Sequence, residues 1–338
     1  MTGILAMIVY LGCYTDAANT NGLHCLELDA ATGAMKVVAS YPVQAATYQA
    51  LSSDGATLYS CVRGGLASFA ASGAALSEKG RVDLGGTPCH VSLSADGRSV
   101  FWADYGKARA GSVEVRDGAF GNGASYRHSG DGPNKPRQAK AHCHQAIPTP
   151  DGAGFCVVDL GMDAIVTYPK GDVFATKPAG AGPRHALFHP NGRLAFVLFE
   201  LGNKLGSYAW DPARGFSPLD MAETLPPGDT GRGYDGDLAA AIRLSPDMKR
   251  VIVSNRGENS LVSYDYDEAT GRLSQKARSP LPGSWPRDFI FVDDTLALVA
   301  LERSGKVVSL RYNPVAGSFG VVGELGGFFR PVALTRAK

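Results

Sequence analysis

Short apolar runs alternate with polar breaks along this chain in a unit that recurs. Each unit holds an apolar strand, a turn built on Asp-Gly or Asn-Gly, a run of β-branched and aromatic residues, a short break, and another strand ending near an aromatic residue. The turns read SSDG (52–55), SADG (94–97), TPDG (149–152), HPNG (189–192) and SPDM (245–248), followed by a weaker VDD (292–294). Their key residues, Asp54, Asp96, Asp151, Asn191, Asp247 and Asp293, are spaced 40–56 residues apart. A period of roughly 40–50 residues with several short strands per unit is the mark of a β-propeller.

The clearest post-turn copies span 194–210, 250–267 and 295–312; weaker ones span 57–69, 99–115 and 154–168. A seventh, 7–29, has no turn before it. Its apolar start, 7–14, lacks a basic flank and is broken by Gly12, so it reads as a first strand and not as a signal peptide. The strand before each turn has its own form, a polar residue and then apolar alternation, as in CHVSLSADG, HQAIPTPDG and RHALFHPNG. FFRPVALTR (328–336) has that form with no turn after it. It is therefore expected to supply the inner strand of the first blade and close the ring, leaving no large open sheet edge. The expected fold is all-β: a seven-bladed β-propeller forming one domain over 1–338, closed by the C-terminal strand joining the N-terminal blade.

Bulk properties agree with this. There are 42 glycines in 338 residues, 19% charged residues and 44% apolar ones, as many short buried strands and tight turns require. The formal net charge of +1 offers no field for nucleic acid or an anionic membrane, and no apolar stretch reaches the roughly 18 residues of a membrane helix. None of the six cysteines forms a CxxC pair, and most sit in apolar strand patterns, which reads as free thiols in a reducing cytoplasm. Longer insertions at 106–141 and 226–237 are either plain surface loops or the walls of a substrate entrance.

Used as a ruler, the turn locates candidate chemistry. Nine positions after the key residue stand Arg63, Tyr105, Leu160, Glu200, Arg256 and Glu302, with Asp159 beside Leu160. Seven positions before it stand Thr47, Cys89, His144, Arg184 and Ala240, and Arg287 joins them when Asp294 is the zero point. One place further on lie Tyr48, His90, Gln145, His185, Ala241 and Asp288. Polar groups inside a strand pattern cost free energy unless paired, yet nearly every repeat carries one at the same register. A propeller brings such positions together at one end of its central channel. Singly, each is an ordinary rim residue or a satisfied core histidine; jointly, His144, Arg184, His185, Glu200 and Arg256 suit an anionic or carbonyl-bearing small molecule. The pair His142 and His144 could share a face of a strand and bind a metal, but the neighbouring arginines would repel a dication, and neither a metal nor another cofactor is expected. Trp102, Trp210 and Trp285 read as core, and no GxSxG elbow, Walker loop or GxGxxG motif is present.

AGAGPRHALFHPNGRLAFVLFELGNKLGSYAWD (179–211) resembles the hallmark stretch of the seven-bladed 6-phosphogluconolactonase family, which includes the carboxymuconate-lactonizing enzymes. AHCHQAIPTPDG (141–152) and AAAIRLSPDMKRVIVSNRGENSLVSYDYD (239–267) resemble further stretches of it. The chain departs from the family pattern at AAAIRL, SPDM and PRDF (286–289). The resemblance implies a catalytic set of His, Arg, Glu and Arg at the channel mouth, matched here by His144, Arg184, Glu200 and Arg256. His185, His142, Arg63, Arg287 and Tyr14 are the expected substrate contacts. The implied activity is hydrolysis of a sugar-acid lactone, with Glu200 or His144 as base and the arginines holding the oxyanion or a substrate anion. Carboxymuconate cycloisomerisation would use the same groups, and a non-catalytic binding propeller is the third reading. The expected partner is a small anionic lactone or sugar acid, and the expected assembly is a monomer or homodimer.

Overall fold

The computed structural model describes residues 6–229 and 236–338. These form seven four-stranded antiparallel sheets, and the sole helix among the described residues is the single turn Lys135–Gln138. The first sheet runs from inside to outside as Pro331–Arg336, Ala6–Cys13, Leu23–Asp29 and Met35–Tyr41. The C-terminal strand therefore closes the N-terminal blade, with Leu11 opposite Leu334.

The second strand of each blade explains the continuous apolar runs. Leu194–Phe199 and Leu296–Leu301 are buried along their whole length because a neighbouring blade covers each face. Outer strands such as Ser318–Gly326 are largely exposed. Apolar clusters fill the seams between successive blades, and that of the closing seam joins Val9, Leu11 and Leu28 to Val292, Leu298 and Val307. A serine on the third strand adds a polar staple at four seams. Ser68, Ser207, Ser263 and Ser309 donate to the carbonyls of Gly118, Gly271, Gly317 and Gly33 in the next blade's outer hairpin. Each is worth about 1 kcal/mol net.

The repeating turns are built alike. In the second blade Ser52 N donates to Thr57 O, the Asp54 carboxylate accepts from the Ser52 hydroxyl and from Ala56 N, and Gly55 takes the left-handed φ of 76°. The turn in the seventh blade is one residue shorter, because Val292 N bonds to Leu296 O. This is the physical reason that Arg287 and Glu302 align only from different zero points, Asp294 and Asp293.

The turns lie at one end of the channel, and a bulge lies at the other. In the inner strand Cys143–Pro148 the pairing passes from Cys143 opposite Asp159 to Gln145 opposite Val158, which leaves His144 unpaired. Arg184 in Pro183–Phe188 and Arg287 in Pro286–Phe291 are skipped in the same way. A bulge re-aims the side chain it carries. Here Thr47, Cys89, His144, Arg184, Arg287 and Val332 meet around the waist of the channel.

Candidate functional site

Above that waist opens a cavity of about 630 Å³, the size of a small-molecule site. Among its lining residues are Tyr14, His144, Glu200, Arg256 and Arg287 from the expected set. Glu200 follows Leu194–Phe199 directly, Arg256 ends Arg250–Arg256, and both are buried.

The Glu200 carboxylate is the hub. Arg137 Nη2 approaches its Oε1 at 2.5 Å, and Arg256 Nη2 its Oε2 at 2.9 Å. Arg184 Nε lies 3.0 Å from Oε2, close enough for an ion pair though not aligned for a hydrogen bond. Burial alone would raise the Glu200 carboxyl, but Arg256, Arg137 and Arg184 outweigh it and hold the group well below the usual carboxylate range. Glu200 is thus an anion at neutral pH. Arg256 is pinned further by the carbonyls of Leu238 and Ala239. Arg184 sits behind the cavity, donates to Ala240 O, and is lowered to about 9 by burial and by repulsion from Arg256 and Arg287; it remains a cation at neutral pH.

His144 is the titratable group between these charges. Burial, with Arg184 nearby, pushes its pKa well below the usual imidazole value, so the ring is neutral at pH 7. Its Nδ1 is buried and has no hydrogen-bond partner among the described residues.

A second cluster stands across the cavity. Glu302 receives Arg287 Nη1 at 3.2 Å on Oε2 and Arg330 Nη2 at 2.5 Å on Oε1. Both guanidiniums lie over the Tyr14 ring, with Cζ at 5.5 and 4.5 Å from its centroid. Five arginines and two carboxylates line the cavity, so it carries a surplus of positive charge.

Other expected contacts lie elsewhere. Arg63 is the single residue between strands Thr57–Val62 and Gly64–Ser72; this tight connection leaves it exposed, outside the cavity lining. His142 is half-buried and stacked on Tyr105 at 4.1 Å, with Nδ1 on Tyr105 O, and does not line the cavity. His185 is one register deeper, in the waist, with its ring centroid 5.2 Å from that of His144. The spacing of His142 and His144 does not make a metal cluster. The described groups close enough to share an ion are His128, Cys143 and Asp159, and their partners are already set. His128 Nδ1 is 2.7 Å from Asp159 Oδ2, and its Nε2 faces the Tyr168 hydroxyl at 3.0 Å.

Several lining residues escaped the sequence reading, among them Arg303, Arg330 and Arg137. Trp285 is buried, as expected, and its ring also forms part of the cavity wall over Arg256. Trp285 and Arg330 each stand two places before a residue of the waist ring, Arg287 and Val332, so one more column on the same ruler contained both. Arg137 comes from the insertion at 106–141. Much of that insertion is the outer strands Arg109–Arg116 and Ala119–Arg127, and the remainder carries the helical turn that presents Arg137. Gln138, fully buried, anchors that turn through Leu160 O. Of the second insertion, 230–235 lie outside the described residues.

The family model described as "Lactonase, 7-bladed beta-propeller" matches residues 8–327. A Bacillus subtilis 6-phosphogluconolactonase is 33% identical over 323 residues, covering 89% of this chain and 90% of its own. A Pseudomonas aeruginosa periplasmic gluconolactonase superposes with a TM-score of 0.90 at 26% identity, over 98% of this chain and 99% of that one. A putative 6-phosphogluconolactonase of Bacteroides fragilis, at 22% identity, shares the fold with a TM-score of 0.87 over 100% of this chain and 99% of that one.

Proposed function

This chain belongs to the lactonase family of seven-bladed β-propellers, and on that premise we propose that it hydrolyses the lactone of a sugar acid in the arginine-lined cavity. The observation that carries the reading is the Glu200 hub: a buried carboxylate fixing three guanidiniums beside a neutral, unpartnered imidazole.

In this reading His144 is the base. Glu200 is too strongly held as an anion to accept a proton, whereas His144 is neutral and the Glu200 charge favours the imidazolium it becomes. Water attacks the lactone carbonyl carbon and gives its proton to His144. Arg256 takes the developing oxyanion. Collapse breaks the ring C–O bond, and the leaving alkoxide recovers the proton from the imidazolium. The product acid then ionises and releases one proton. Arg184 keeps Glu200 in register from behind.

A pH-stat trace tests the reading on 6-phosphogluconolactone and glucono-δ-lactone, with carboxymuconate consumption followed in parallel. The expected result is base uptake above the spontaneous rate on at least one lactone. Arg256→Ala is expected to lower kcat by about 10²–10³, the usual loss when an oxyanion donor is removed. Spontaneous rates with every lactone, or an Arg256→Ala variant with unchanged turnover, would overturn it.

A further inference from the structure

The arginines of the cavity are not equivalent. Arg137 and Arg256 are bound to Glu200, and Arg287 and Arg330 to Glu302. Arg303 also lines the cavity but makes no hydrogen bond or ion pair with any described residue. It is not loose, however. Its guanidinium is laid over the indole of Trp285, with Cζ 3.3 Å from the ring centroid. A stacked guanidinium keeps its hydrogen-bonding edge free for a ligand, and stacking reduces the freedom it would lose on binding.

The shelf is itself held in a costly conformation. Trp285 adopts φ 72°, a left-handed backbone that costs a bulky residue roughly 1–2 kcal/mol. Its amide donates to Asn259 Oδ1 at 2.8 Å, and its carbonyl accepts from Glu302 N at 2.9 Å. The same ring lies 5.4 Å from Arg256 Cζ. One side chain therefore ties the hub arginine to the free one, and a ligand held at Arg256 is within the same cavity as the open edge of Arg303.

We propose that Arg303, shelved on Trp285, binds an anionic group that the lactone carries away from its ring ester, and so selects phosphorylated or carboxylated sugar lactones over neutral ones. This rests on the lactonase reading above. The shared chemistry is a planar donor edge facing phosphate or carboxylate oxygens.

The test compares wild type, Arg303→Gln and Trp285→Phe on 6-phosphogluconolactone, a glucarolactone and glucono-δ-lactone. Arg303→Gln is expected to lower the kcat/KM ratio of a charged to the neutral lactone about 10- to 100-fold, mainly through KM, the range for a hydrogen-bonded charge. The charged lactone that loses more identifies the bound group. Trp285→Phe keeps a smaller shelf and is expected to lower the ratio about 2- to 5-fold. Unchanged ratios in Arg303→Gln overturn the proposal. Calorimetric binding of 6-phosphogluconate, glucarate and gluconate separates it from the lactonase reading. If wild type hydrolyses no lactone, that reading falls, yet weaker binding of 6-phosphogluconate or glucarate, which carry a second anionic group that gluconate lacks, by Arg303→Gln still supports the anion site. Equal binding of all three acids by wild type and variant removes it.

Discussion

The fifth and seventh blades place the same two residue types at the same two positions. In each, an arginine on the bulge of the inner strand faces a glutamate at the end of the second strand: Arg184 with Glu200, and Arg287 with Glu302. Their surroundings part them. Glu200 gains Arg256 from the next blade and Arg137 from an insertion, and is sealed. Glu302 gains Arg330, whose side chain is 53% exposed, beside the open Tyr14 ring. Both carboxylates are buried, but the cations on Glu200 are largely sealed, whereas Arg287 and above all Arg330 on Glu302 meet solvent. A propeller can thus draw two functions from one register by changing what the neighbouring blade contributes.

Neutralising each glutamate should separate the two. Glu200→Gln leaves three guanidiniums facing one another in a buried site, and breaking a buried ion pair on one side costs about 3–5 kcal/mol. Denaturant unfolding should show that loss, and kcat should fall by at least about 10²-fold as Arg256 loses its fixed orientation. Glu302 is equally buried but its arginines are better solvated, so Glu302→Gln should cost less, about 1–2 kcal/mol, and should act mainly on KM. Equal stability losses in the two variants would mean that the exposure of the partner arginines has no energetic weight.

The pH dependence sharpens the contrast. His144 and His185 have pKa values held well below the usual imidazole value, chiefly by burial, and burial brings His90 to about 3. The unfolded chain therefore binds protons at these rings from about pH 6.5 downward, where the folded chain does not. Stability should be whole above that pH and fall as the pH drops below it. The Glu200 carboxylate, whose folded pKa is depressed, keeps its contribution until the pH falls below the ordinary carboxylate value. In kcat/KM, the acid limb set by His144 should lie below pH 6.5, with a plateau at neutrality. An acid limb above pH 7 would exclude His144 as the base.

Fold and site were legible to different degrees. The Asp-Gly turns and the C-terminal FFRPVALTR segment revealed seven blades and their closure because both are local patterns. The ruler found His144, Arg184, Glu200 and Arg256 because register alone determines which residues ring the channel. It could not tell that Arg63 closes a one-residue connection and points outward, or that His185 sits a layer below His144. Arg137 was beyond its reach, since that residue joins Glu200 from outside the repeat, across 63 positions of chain. The direction of the Glu200 pKa was likewise hidden, because it depends on how many arginines arrive from other blades.

The smallest effect belongs to the turns themselves, at the far end of the channel from these charges. Gly55, Gly97, Gly152 and Gly192 take φ of 76°, 69°, 69° and 68° at one position of the repeat, where the sixth blade has Met248 at 55°. A side chain with a Cβ pays roughly 1–2 kcal/mol there, whereas glycine loses roughly 0.5–1 kcal/mol through its freer unfolded chain. Met248 is 46% exposed, so its removal forfeits little burial. Met248→Gly should therefore stabilise the protein by about 0.5–1 kcal/mol, raising Tm by roughly a degree or two, with kcat and KM unchanged. Met248→Ala, which keeps the Cβ, should give no such gain. A loss of stability in Met248→Gly would show that Met248 is held by its contacts and not strained by its backbone.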